Sequence, residues 1–502
     1  MSRPQRPWPP TIPILAGITL IGLVLRLAWL GDRPLWLDEL WTMELATGRG
    51  SAHLDIPFGT IVQPPPATTQ LADAPPWYSV WTNITSATHP PLYFVVLRVW
   101  ENVFGSSEAA VRSLSVACSL IAMLFLFDVA RLIANERVAL WAAAIFALAG
   151  PQVEYARETR NYAILIAFAL AAASALVRIE KRGASCPRLA ALCIAVLCTM
   201  LTHYLAAGAV AAVFVYALIA LRGRDRLRTI GAFLAAGAVW ILVWGPFLLR
   251  HATRFSGRDP TTEFLHVERW DAMAWSQLVL AVPARMLLDS EAAAGLVAII
   301  AVIVAYLVPI PLLKRRHDVL LGWLWLIGVT TFVASLDVIR STKQLTYARY
   351  FLLAGPGCYL LFATVGDLWN RWAKHLLPAA ALLVCLLGLP RPLRSDVPDW
   401  RSLAWLLDEN AGADATLVFT APGKPDWAVG YMYLALSHYS QHRPAAIVLL
   451  RGPPDAKLVK EIGRSKNVWL IDGSAPAGGL PATCSPLSLA KPASAPVSTP
   501  VR

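Results

Sequence analysis

Apolar runs long enough to cross a bilayer recur along most of the chain. A membrane-crossing helix needs roughly 17–25 residues of low polarity. Such runs fall near 11–30, 109–133, 138–153, 161–179, 188–203, 204–221, 229–250, 292–313, 319–336, 349–367 and 376–390, which predicts about eleven spans. The stretch 188–221 is read as two short helices hinged at Thr202-His203-Tyr204. Residues 89–104 (HPPLYFVVLRVWENVF) have a different pattern: amphipathic, opening on a proline pair and closing at Gly105. That pattern predicts a helix lying in the interface, and 270–288 is read as a second one. Residues 57–77, with Pro57, Pro64, Pro65, Pro66, Pro75 and Pro76, are expected to form a loop without helix or strand.

The period changes after Pro390. TLVFT (416–420), AAIVLL (445–450) and NVWLID (467–472) alternate with helical patterns at 401–410, 428–440 and 455–464, as in a small βαβ unit. From Pro481 the chain turns Pro/Ala/Ser-rich and is expected to be disordered. The expected fold class is therefore mainly α: a polytopic transmembrane helical bundle, residues 1–390, with interfacial helices in its first outer loop. A small C-terminal α/β domain, 391–480, and a disordered tail, 481–502, follow.

Composition excludes the soluble alternatives. Of 502 residues, 57% are hydrophobic and 15% charged, against about 25% charged in soluble domains; the mean hydropathy is +0.53. Too few charges remain to cover several soluble domains. The net charge of +12 invites a nucleic-acid reading until the basic residues are located. With Arg3 and Arg6 placed inside and the spans alternating, Arg131/Arg137, Lys181/Arg182/Arg188, Arg222–Arg228, Lys314–Arg316 and Arg371/Lys374 all fall on the same side, as the positive-inside rule requires. Merging 188–221 into one span would break this pattern. The charge sets topology, and no nucleic-acid partner is expected. No small-residue cleavage site follows the first apolar run, so that run is read as an uncleaved span. The seven cysteines form no CxxC and no regular framework.

The remaining charges gather on the side opposite the basic loops. Asp38-Glu39 follows the first span inside LWLDELW (35–41); carboxylates desolvated among Trp and Leu suit general-base work. An ordinary helix N-terminus is the plain alternative. EYARETRNY (154–162) is a short loop between two apolar helices. A tether needs none of its four charges, and arginine binds phosphate oxygens bidentately; internal Arg–Glu pairing is the alternative. Arg112, His203, Lys343 and Arg349 stand singly at outer helix ends, where such residues are usually anchors; their shared side strengthens them as a group. Arg26 and Asp128 read as paired or snorkelling. His438 and His442 have a zinc-compatible spacing but no nearby third ligand, and read as surface histidines. Asn83-Ile84-Thr85 matches a common sequon. No Gly-rich nucleotide loop, Walker loop or GxSxG is present.

LWLDELWTMELATG (35–48), HPPLYFVVLRVWENVFGSSEAAVRSLS (89–115), YARETRNYAIL (155–165), THYLAA (202–207) and ARYFLLAGPG (348–357) together resemble blocks of bacterial GT-C-type membrane glycosyltransferases. This is the group related to protein O-mannosyltransferases and to the lipid A aminoarabinose transferase. The resemblance covers roughly residues 10–370 and implies a multi-pass protein of the bacterial inner membrane with a cytoplasmic N-terminus. The implied donor is a polyprenyl (undecaprenyl) phosphate sugar, transferred with inversion to a periplasmic acceptor hydroxyl on a glycan, lipid or protein.

The resemblance also implies site roles. Asp38 is the expected base, with Glu39 and Glu158 as further catalytic carboxylates. Arg160, Arg112, Arg349 and Lys343 are expected to meet the donor phosphate or lipid, and His89, Tyr162, His203, Tyr204 and Tyr350 to line the pocket. The second outer loop of the family often reads Gln-Glu-Ala-Arg-x-Tyr; Arg157 in place of Gln is a departure that leaves the acceptor class open. Some relatives use a divalent metal ion, but no ligand set for one is legible in this chain. The rival from another class is a flippase of polyprenyl-linked sugars, which would need polar groups along both faces of the bundle or paired broken helices.

Overall fold

The computed structural model describes residues 11–84, 89–256, 265–268, 271–288, 295–368, 371–389, 397–474 and 482–487. Arg3 and Arg6, Thr85 of the sequon and most of the expected tail lie outside the described residues. The chain divides into two compact units.

The first unit (1–30, 109–258, 262–394) is helical. By length and composition, five of its helices are apolar enough to cross a membrane: Glu108–Ile133, Tyr162–Arg182, Gly223–Leu249, His317–Arg340 and Ala348–Gly366. Shorter apolar helices are Thr11–Leu27, Cys186–Met200, Ala206–Ala220, Ala272–Leu287, Leu296–Leu312 and Trp372–Gly388. The run 138–153, expected as one span, is two helices, Glu136–Leu148 and Gly150–Tyr155. Pro151 cannot continue a preceding helix, and Ala149 leaves helical geometry at φ −59°, ψ 120°. Arg26 fills the break. Its guanidinium donates to the carbonyls of Phe146 (3.3 Å), Ala147 (3.0 Å) and Gly22 (3.1 Å), and Nε donates to the Ser119 hydroxyl (2.9 Å). It points into the bundle, fully buried, rather than snorkelling outward.

The hairpin in 188–221 is present as Cys186–Met200 and Ala206–Ala220, joined by residues 201–205. Ala206–Ala220 crosses His317–Arg340 at a point where two glycines meet. A Cβ on Gly208 would stand 2.8 Å from the Gly328 carbonyl oxygen, and one on Gly328 2.8 Å from that of Gly208. Glycine is what lets two apolar helices approach this closely.

Polar contacts sort the loops by end. At one end Asp128 takes Arg131, Arg178 and Ser174, Glu180 takes Tyr216 and His317, and Asp367 takes Arg137 and Asn135. The basic loops singled out by the sequence thus share an end. At the other end Arg157 reaches the Ala28 carbonyl (2.7 Å), Asn161 that of Thr202 (3.2 Å), and Arg112 that of Leu30 (2.8 Å).

The second unit joins residues 31–108 to the C-terminal segment, so these residues fold with the α/β segment. Strands β1 (Thr416–Thr420), β2 (Ala446–Leu450), β3 (Val468–Asp472) and β4 (Thr483–Pro486) form a sheet of order β2-β1-β3-β4. The first three strands are parallel and β4 is antiparallel to β3. Helices Trp400–Asn410, Asp426–Tyr439 and Ala456–Ile462 accompany them. One sequence expectation needs correction, while the proline-rich loop holds no helix or strand, as expected. Thr483–Pro486 is not disordered, because it pairs with the otherwise open β3 edge. The proline-rich loop also touches the sheet: Gly59 and Val62 donate to the carbonyls of Leu449 (2.8 Å) and Ile447 (2.9 Å), covering the free edge of β2.

Candidate active site

In the helical unit, the loop after Gly150–Tyr155 gathers the cations. Arg112, Arg157 and Arg160 are 0%, 3% and 8% exposed, so three guanidinium groups lie more than nine-tenths buried at one end of an apolar bundle. Burying charge there is expensive. The loop is tight: the Arg160 amide donates to the Glu158 carbonyl (2.8 Å) and the Ser115 hydroxyl to the Arg160 carbonyl (3.3 Å). Arg157, the departure from the family pattern, ties this loop to the first helix through Ala28.

Arg160, Tyr162 and His203 are brought together. The guanidinium carbon of Arg160 lies 5.9 Å from the Tyr162 ring centre, whose neighbours are the rings of His203 (6.3 Å) and Tyr155 (5.4 Å). His203 sits in the 201–205 connection, with Nδ1 accepting the Leu205 amide at 2.9 Å. Burial, reinforced by the Arg160 charge, pushes its ring down to about 3. The imidazole is therefore neutral at physiological pH and adds no positive charge. Tyr204 faces Trp244, whose indole nitrogen donates to its hydroxyl (3.0 Å).

Lys343, Arg349 and Tyr350 lie on the segment after His317–Arg340. Asp337 and Arg285 hold its turn: Arg285 donates to the carbonyls of Leu345 (2.7 Å) and Thr346 (2.9 Å). Arg349 lies between two rings, 5.4 Å from Tyr347 and 5.2 Å from Tyr350. Gln152 bonds the Leu352 carbonyl (3.3 Å), joining this segment to the arginine-bearing loop. The holding residues Asp337, Arg285 and Gln152 were missed from sequence, where each is a single polar residue beside an apolar run.

In the second unit, helix Leu37–Ala46 carries both acidic candidates in its first turn. Their environments differ. Glu39 is fully buried and its carboxylate accepts the Trp36 amide (3.3 Å), capping the helix. Asp38 is half-buried, with its carbonyl taken by the Thr42 hydroxyl (2.6 Å). His89 stands just before helix Leu92–Phe104, whose inner face buries Arg98 and Glu101. Among the described residues no three His, Cys, Asp or Glu side chains converge, so no divalent-ion centre is assembled from them. His438, expected on the surface, is half-buried with Nδ1 2.8 Å from the Thr69 hydroxyl.

Residues 88–249 match the family described as dolichyl-phosphate-mannose-protein mannosyltransferase. No curated protein sequence matches significantly. The fold is similar to that of ArnT from Cupriavidus metallidurans, with TM-score 0.53, 12% identity and 92% of each chain covered. The same enzyme bound to undecaprenyl phosphate superposes with TM-score 0.52 at 13% identity, again over 92% of each chain. The Archaeoglobus fulgidus oligosaccharyltransferase, tethered to an acceptor peptide, gives TM-score 0.51 at 11% identity, over 92% of this chain and 68% of its own. The family match thus covers 88–249 of the 502 residues, and the similarity of fold to these structures extends over most of the chain.

Proposed function

We propose that the chain transfers a sugar from a polyprenyl phosphate, undecaprenyl phosphate in a bacterial inner membrane, to a hydroxyl acceptor at the periplasmic face. The observation that carries this reading is the set of three deeply buried guanidinium groups, Arg112, Arg157 and Arg160, at one end of an apolar bundle. A lipid-linked phosphate is the anion that such a place suits, and preorganised cations are worth most where leaving-group charge develops in a dry site. The ArnT fold bound to undecaprenyl phosphate supports the same donor class. The eleven-span topology, with the arginine-bearing end periplasmic and the basic loops cytoplasmic, belongs to this proposal.

In the proposed reaction the acceptor oxygen attacks the anomeric carbon from the face opposite the phosphate. The bond from that carbon to the phosphate oxygen breaks, and the configuration inverts. Asp38 takes the acceptor proton, and the polyprenyl phosphate leaves with its charge met by Arg160 and Arg112, aided by Lys343 and Arg349. Glu158, Tyr162, His89, neutral His203, Tyr204 and Tyr350 position sugar and acceptor. Glu39, as the cap of the Asp38 helix, acts by holding that helix.

The test is loss of labelled sugar from a polyprenyl phosphate donor in proteoliposomes holding the full chain. Release or transfer of sugar, with free polyprenyl phosphate formed, supports the proposal. Movement of intact donor across the bilayer without glycosidic cleavage would instead favour a flippase.

A further inference from the structure

The helix that carries Asp38 is fixed at both ends by one helix of the C-terminal segment. At its start, the backbone amide of Leu35 donates to the Tyr439 hydroxyl oxygen at 2.6 Å. Arg401 stands 5.9 Å from the Tyr439 ring and donates to the Glu108 carboxylate (2.7 Å) and the Gly31 carbonyl (3.3 Å). The chain leading into the Asp38 helix is thus held from two sides.

At the far end, fully buried Glu44 accepts the backbone amide of His53 (3.0 Å) and faces its ring nitrogen Nδ1 (2.5 Å). This folds residues 51–54 back onto the helix. The carbonyl oxygen of His53 then rests against Gly430, 2.7 Å from where a Cβ would stand. Any side chain at 430 would push the His53 carbonyl, and with it Glu44, away.

Residues 430 and 439 are about 13 Å apart along their helix, close to the roughly 15 Å length of Leu37–Ala46. The two helices therefore lie antiparallel, with Tyr439 at the end of one beside the start of the other and Gly430, a turn inside, near its far end. Bonds from Tyr433 to the Pro66 carbonyl (2.5 Å) and from Gln70 to the Ser437 carbonyl (2.6 Å) extend the same contact.

We propose that Tyr439 and Gly430 are positioning residues for the transfer reaction, fixing the axial placement of the helix that presents Asp38. The C-terminal segment then serves catalysis by holding that helix. This inference rests on the reading of Asp38 as base.

Tyr439→Phe removes the acceptor for the Leu35 amide while keeping the ring, and Gly430→Ala pushes on the His53 carbonyl from the other end. Both are assayed as full-length protein in proteoliposomes, with rates normalised to folded protein. A displacement near 1 Å is expected to lower kcat by about 10- to 100-fold, with the donor KM changed by less than about threefold, because the residues proposed to meet the donor phosphate lie outside this helix. Unchanged kcat in both variants overturns the inference, as does a rate loss explained by a smaller folded fraction. Asp38→Asn, run alongside, separates the two readings. If it retains transfer, the base assignment fails; if it is inactive while both positioning variants turn over normally, only the positioning role fails.

Discussion

The Asp337 carboxylate accepts the backbone amide of Gln344 at 2.7 Å. The same group takes the Leu345 amide (3.0 Å) and the Thr342 hydroxyl (2.7 Å). It therefore holds a turn that enters through Ser341 in the left-handed region at φ 51°. Lys343 lies within this turn and Arg349 just beyond it.

Asp337→Asn is expected to release the turn, since the amide presents donors where backbone donors now point. Loss of two charge-assisted bonds costs about 2–4 kcal/mol. Donor KM should rise more than kcat falls, because the displaced groups are those assigned to donor phosphate. Steady-state kinetics with labelled donor, beside thermal unfolding of the purified variant, check both parts. An unchanged KM would remove this turn from donor binding.

Glu101 provides a pH test independent of catalysis. It is 2% exposed, and neither carboxylate oxygen has a hydrogen-bond partner among the described residues. Burial, partly opposed by Arg98, pushes its carboxyl up to about 8. A carboxyl raised on folding contributes stability that is complete below its unfolded value near 4.5 and lost as pH rises through about 8. Glu101→Gln should therefore unfold at the same temperature as the parent at pH 4 and about 4 °C or more higher at pH 9. Parallel curves for the two proteins would contradict the buried neutral acid.

The glycine crossing predicts a packing defect. Gly328→Val places branched carbons against the Gly208 carbonyl and Ala212. Overpacking of this kind costs about 1–3 kcal/mol or more, so the variant should unfold at lower temperature and express less, while Gly231→Ala, in open space, should match the parent. Equal stability of Gly328→Val would mean that the helices can separate at this point without cost.

Much of the bundle was legible because bilayer-length apolar runs and basic loops obey simple length and charge rules. The hairpin at His203 followed from those rules alone, and its helices end at Met200 and begin at Ala206. The break at Ala149 was less visible, because Pro151 sits in an otherwise uniform apolar run and the arginine that fills the gap comes from another helix. Strands β1 to β3 announced themselves by period. β4 did not, since Thr483–Pro486 is short and becomes a strand only by pairing with β3.

The same divide runs through the site. Arg160, Tyr162 and His203 could be grouped from sequence because outer loops concentrate the polar residues of a membrane bundle. The capping role of Glu39 depends on local geometry, and the link from Leu35 to Tyr439 joins residues far apart in the chain. Neither leaves a pattern in the sequence.

In the proposed reaction Asp38 takes the acceptor proton during transfer from a lipid-linked phosphate. The most direct test measures sugar transfer from labelled undecaprenyl-phosphate sugar by Asp38→Asn in proteoliposomes, with folding and donor binding measured on the same preparation. The amide keeps the shape of the side chain but cannot take the proton. Transfer should fall by at least about 10²–10⁴-fold, the usual range for a general base, while folded yield and donor affinity stay near those of the parent. Transfer at a comparable rate by the folded variant would rule out Asp38 as the base.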